Sequence, residues 1–164
     1  MVDLLEAMGL SKSSLYQTFG SKQQLFERCL SHYTDWLSAK MADELEAAGS
    51  GRKFIENTFD QVASTAQQPE GNMGCLIANS ASELGQREPA LALPVKEGIL
   101  HFTRIFKVAV IQGQAEGTIS TDADPLALAD YLMGSMNGLR IMIKAGADRR
   151  TAKGMVKLIL KALD

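Results

Sequence analysis

Apolar residues recur at intervals of three and four along almost the whole of this chain, and strand-like alternation is absent. A chain patterned this way buries its apolar surface by packing helix on helix, so the sequence reads as all-α. Breaks in the pattern set the helix limits. Asp3 to Met8 is a short helix stopped by Gly9. A second enters at Leu10, takes Ser11 as N-cap and runs to about Phe19, where Gly20 stops it. Ser21 and Gln24 have capping-box spacing and open a helix that reaches Ala48, roughly 40 Å. Its stripe is Phe26, Leu30, Tyr33, Leu37 and Met41, with Leu25, Cys29 and Trp36 beside it, and Cys29 reads as core.

Phe54, Ile55, Phe59 and Val62 mark the next helix, to about Gln67, and QPEGNMG reads as a loop. Leu76 to Leu84 is a short helix. Pro89 and Pro94 punctuate the start of another, which ends near Glu116-Gly117. Asp124 as N-cap with Pro125 behind it starts a helix that ends at Gly146, and Asp148 caps the last one.

The 164 residues suffice for one core without staples, and Cys29 and Cys75 are too few for a disulfide framework. No apolar run approaches the roughly 18 residues of a membrane helix, and no signal peptide opens the chain, so the expected location is the cytoplasm with no membrane partner. A net charge of -2 argues against coating nucleic acid, but a small DNA-reading surface needs only a few cations.

Two short helices around a glycine turn make a helix-turn-helix. At 100° per residue, Leu15 and Phe19 face inward and Ser13 and Gln17 face away, with Ser14 and Tyr16 flanking them and Lys12 at the N-terminal end. A solvated face usually carries Glu and Lys; this one carries hydroxyls, an amide and a tyrosine. Small residues let a helix sit deep in the major groove, and Gln can pair bidentately with adenine. Lys12 and Lys22, near two helix N-termini together with the Ser11 cap, suit phosphates.

The segment LLEAMGLSKSSLYQTFGSKQQLFERCL resembles the DNA-binding segment of TetR-family transcriptional repressors. GCLIANSASEL, GQAEGTIS before DADP, and GLRIMIKAGADR resemble the family's C-terminal domain more loosely. The resemblance implies an all-helical homodimer that binds palindromic double-stranded operator DNA and releases it when a small molecule enters the C-terminal domain. It also implies a further N-terminal helix completing a three-helix head. The chain starts at Met1-Val2-Asp3, inside what would be the second helix, so the expected head, residues 1–27, is incomplete. Residues 28–164 are the expected antiparallel helical regulatory and dimerisation domain. Truncation and true loss of DNA binding are both readings of that departure.

Gly134 and Gly138 share a face of the penultimate helix, and Leu128, Leu132, Met136 and Leu139 supply apolar area. With Met155, Leu158 and Ile159 of the last helix they form the expected four-helix dimer interface. Pocket candidates for an apolar or amphipathic effector are Trp36, Phe54, Phe59, Met73, Phe102, Phe106 and Met133, with Cys75, Asn79 and Asn137. Residues of these types at helical spacing also serve as plain core. Cys75 follows Gly74 at a helix start, where backbone amides can activate a thiol, so a redox or electrophile sensor is an alternative. His32 and His101 stand alone without metal-ligand spacing, and no catalytic motif or phosphate loop is present. The sequence therefore implies no cofactor and no enzyme.

Overall fold

The computed structural model describes residues 2–84 and 89–164. Its order is α1 (Val2–Met8), α2 (Lys12–Phe19), α3 (Lys22–Ala48), α4 (Gly51–Ser64), α5 (Pro69–Met73), α6 (Leu76–Leu84), α7 (Pro89–Ala115), α8 (Pro125–Lys144), α9 (Arg149–Leu160) and a closing 3-10 turn, Lys161–Leu163. The described residues contain no strand. Met1 of the expected head lies outside them.

The caps follow local chemistry. Ser11, Ser21 and Asp148 each accept a backbone N–H three residues on, and Asp124 accepts those of Leu126 and Ala127. Donation from Thr151 holds the Asp148 carboxyl below its usual range. The expected loop 68–74 is in part a helix: Pro69 occupies a first-turn position, where its fixed φ and missing N–H cost nothing, and α5 follows. Pro94 lies inside α7 rather than marking its start.

The core gathers around α7, which packs against α3, α4, α6 and α8, while α9 closes over α4 and α8. Phe106 of α7 sits between Phe54 and Phe59 of α4, ring centroids 6.2 and 6.1 Å away. One sequence expectation is corrected here. Cys29 is exposed, and Thr34 takes a buried place on α3. On α8, Leu128, Leu132, Met136 and Leu139 are buried within the single chain, as is Ile159 of α9. They contribute to the protomer's own core. The outward face of α8 is the opposite one, carrying Tyr131, Ile141 and Met142, with open space above Gly134 and Gly138. Leu158 of α9, 65% exposed, also faces out, and Met155 is half-buried at the edge.

Candidate reading helix and ligand cavity

The helix-turn-helix is built locally. Gly9, at φ +61°, turns the chain out of α1, and the Gly9 and Leu10 N–H groups bond back to Glu6 and Leu5. α2 then seats on the first turns of α3, with Leu15 fully buried. The Arg28 guanidinium covers the Phe19 ring at 5.6 Å. Ser11, Lys12, Ser13, Tyr16, Gln17 and Lys22 are all exposed, and Ser14 is half-buried. The Ser11 and Ser14 hydroxyls bond each other at 2.9 Å, so these two hydroxyls are committed to the cap while Ser13 and Gln17 face solvent. In α1 nothing is buried, and Leu4 and Leu5 are only half-covered.

A cavity of about 420 Å³ opens between α3, α4, α7 and α8. Ligand pockets are typically of this size. From α3 it takes Tyr33, Trp36, Leu37, Lys40, Met41 and Glu44; from α7, Phe102 and Phe106. α8 contributes Met133, Met136, Asn137 and Arg140, α4 contributes Thr58, Gln61 and Val62, and Glu70 stands near Cys75 from the α5–α6 side. Lys40 lies over Trp36 at 5.8 Å and pairs with Glu44 at 3.7 Å. The Tyr33 hydroxyl donates to Cys75 Sγ at 3.9 Å. Burial first, then Cys75, pushes the Tyr33 phenol up to about 12, while the Arg140 guanidinium pulls it the other way.

The structure thus brings together Trp36, Cys75, Phe102, Phe106, Met133 and Asn137 of the expected pocket residues. Four others stand elsewhere. Phe59 is core behind the cavity wall. Phe54 is core too, and borders a second depression of about 390 Å³ beside Asn57. Met73 is 67% exposed, because α5 turns its Gly71 side inward against Ile143. Asn79 is a brace: it donates to the Met73 carbonyl at 2.9 Å and accepts from Lys144 at 3.2 Å.

Comparison with known proteins settles the relationship. The sequence profile described as "Tetracyclin repressor-like, C-terminal domain" matches residues 51–159. The HTH-type transcriptional regulator YezE of Bacillus subtilis (strain 168) is 31% identical over 163 residues, which is 99% of this chain and 84% of the relative. This chain belongs to the TetR family of transcriptional regulators. The HTH-type transcriptional repressor DhaR of Mycobacterium sp. (strain GP1) is 25% identical over 98% of the chain and 80% of its own length. Among solved structures, a cysteine variant of the TetR-family regulator CifR, complexed with 26-base-pair operator DNA, superposes with a TM-score of 0.85. It is 26% identical, with 100% of this chain and 86% of that one covered.

Within this TetR-family chain, sequence reasoning missed Tyr33 and Arg140 as cavity residues. Tyr33 is legible only as one more member of the α3 stripe. For Arg140 a signal exists: it stands three residues after Asn137, on the same face of α8, between the buried Leu139 and Ile143. A cation set in an apolar run needs a reason that a cation on a polar face does not.

Proposed function

We propose that this TetR-family protein is a cytoplasmic, dimeric, ligand-responsive repressor. Its head, residues 1–27, reads palindromic operator DNA through α2, and a small molecule in the cavity of the 28–164 domain releases it. The observation that carries this reading is that one helix serves both sites. α3 seats α2 at its N-terminal end and lines the cavity from Tyr33 to Glu44. A ligand wedged against that stretch tilts α3 and changes the spacing of two reading helices that must lie about 34 Å apart. The ligand then favours the DNA-free state to the extent that it prefers the tilted form. The outward faces of α8 and α9, with Gly134, Gly138, Ile141 and Leu158, are the dimer surface in this reading.

The test is fluorescence-anisotropy selection on a randomised palindromic DNA pool at two salt concentrations. Tight, selectable, salt-dependent binding is expected. No binding by a folded dimer would favour the other reading, a helical ligand-binding protein without DNA affinity. On the selected operator, Gln17→Ala is expected to weaken binding at one base position by about 1–3 kcal/mol. Lys22→Ala is expected to weaken all sequences alike and to reduce the salt slope by about one. Equal, sequence-independent losses for both would remove the base-reading role of Gln17.

Covalent sensing through Cys75 is a second reading, favoured by the placement of its thiol on the cavity wall. A thiol reagent separates the two cysteines. Exposed Cys29 is expected to react first and buried Cys75 roughly tenfold or more slowly, by way of local opening. A cavity ligand is expected to protect Cys75 and leave Cys29 unchanged. Loss of operator binding that tracks Cys75 labelling rather than Cys29 labelling would favour the covalent reading.

A further inference from the structure

We propose that the cavity selects an amphipathic anion, a carboxylate with an aromatic or branched apolar body, and that Arg140 with the Asn137 amide nitrogen holds the head. This rests on the reading of the cavity as the effector site and adds the chemical class of the effector.

The argument begins with charge. Arg140 is half-buried, borders the cavity and has no carboxylate within ion-pair distance among the described residues. Arg52 shows what a satisfied arginine looks like in this fold. It reaches Glu56 at 2.8 Å, Asp164 at 2.7 Å and the Thr118 carbonyl at 2.8 Å. A guanidinium cannot shed its proton, so an arginine that borders the cavity without an ion-pair partner keeps its charge and its donor fork for an acceptor that enters.

Asn137 points the same way. It precedes Arg140 by three residues, so the two share one face of α8. Its Oδ1 is buried without a hydrogen-bond partner among the described residues, so the fold does not fully engage this side-chain amide at the cavity wall. Two neighbouring donor groups, one charged, suit the two oxygens of a carboxylate. Phe102, Phe106 and Met133 form an apolar part of the wall and offer a slot for a ring or branched chain.

The acidic groups at the cavity do not reverse this balance. Glu44 is paired with Lys40, and Glu70 stands on exposed α5, where water screens it. Of the aromatic rings at the cavity, tryptophan is the strongest cation–π partner, and Lys40 already lies over Trp36.

A matched series tests the head alone: 4-phenylbutyrate, 4-phenylbutanamide and 4-phenylbutylamine have the same body and an anionic, neutral or cationic end. Trp36 is the single tryptophan of the chain and lines the cavity, so its fluorescence reports binding, with calorimetry as a second readout. The carboxylate is expected to bind roughly tenfold tighter than the amide, and the amine weakest. Arg140→Gln is expected to bring carboxylate and amide within about threefold of each other, chiefly through loss of carboxylate affinity. Carboxylate and amide binding alike, the amine binding tightest, or a carboxylate preference that survives Arg140→Gln would each overturn the anion proposal and leave the cavity reading standing. Silence of all three probes in both readouts, with the protein folded, would overturn both.

Discussion

Phe106→Ala is expected to lower the free energy of unfolding by about 3–5 kcal/mol, the range for truncating a buried aromatic ring. The residue is 1% exposed and its ring meets both Phe54 and Phe59 of α4, so it joins α7 to the buried face of α4. The site is poorly able to collapse, because Phe106 also walls the existing cavity of about 420 Å³. Removing the ring enlarges a void instead of creating one that neighbours can fill, which puts the cost toward the upper end. For a chain of this length the melting temperature is expected to fall by roughly 6–20 °C. Urea unfolding followed by circular dichroism checks it, and Phe106→Leu, which keeps most of the volume, should recover well over half of the loss. A cost below about 1 kcal/mol would mean that α4 and α7 do not meet through this ring. Because the enlarged void opens into the cavity, a ligand that fills it should restore part of the lost stability by mass action.

Much of this fold is legible in the amino-acid sequence. Asp124-Pro125 and Asp148 announce helix starts because capping is a local matter of one oxygen and two or three N–H groups, and both are used as expected. Leu128, Leu132, Met136 and Leu139 announce a buried face because periodicity depends on the helix alone. What covers a face is not a local property. Periodicity leaves the same residues free to meet a dimer partner, and the fold covers them with the protomer's own helices. Cys29 and Thr34 show the same limit along α3. Its N-terminal end meets α2 and other parts meet α4, α6 and α7, so the side facing the core changes along the helix. Cys29 ends up outside it and Thr34 inside. Pro69–Met73 is too short for periodicity to register. Arg140 stands out in the sequence as a cation in an apolar run, but what it serves depends on which groups surround it, and that no carboxylate among the described residues pairs with it is a fact of three dimensions. The residues of the reading helix are legible because their chemistry is out of place on a solvated surface, which a sequence displays directly.

Gly51→Ala is expected to destabilise the protein by about 2–3 kcal/mol, and its sign is the informative part. Helix propensity alone predicts a gain of up to about 1 kcal/mol, since alanine is the better helix former. The contact predicts the reverse. Gly51 opens α4 where it crosses α7, and an added Cβ would fall deep inside the Ala109 carbonyl oxygen, 2.7 Å from the Gly113 nitrogen and 2.9 Å from the Ala109 carbonyl carbon. All three are backbone atoms of α7, so relief requires moving a whole helix rather than a side chain. The next residue makes that movement costlier. Arg52 ties the start of α4 to Glu56, to the Thr118 carbonyl and to Asp164, and a displaced α4 must stretch at least one of these bonds. Gly134→Ala serves as a comparison for the protomer at protein concentrations below dimer dissociation, because within one chain an added Cβ there meets nothing within 4 Å and helix propensity alone should raise stability. Chemical unfolding with an unchanged denaturant slope would read both effects. A stabilised Gly51→Ala would mean that α4 and α7 cross farther apart than their backbones do here. That would also move Thr58, Gln61 and Phe106 and reshape the cavity they border.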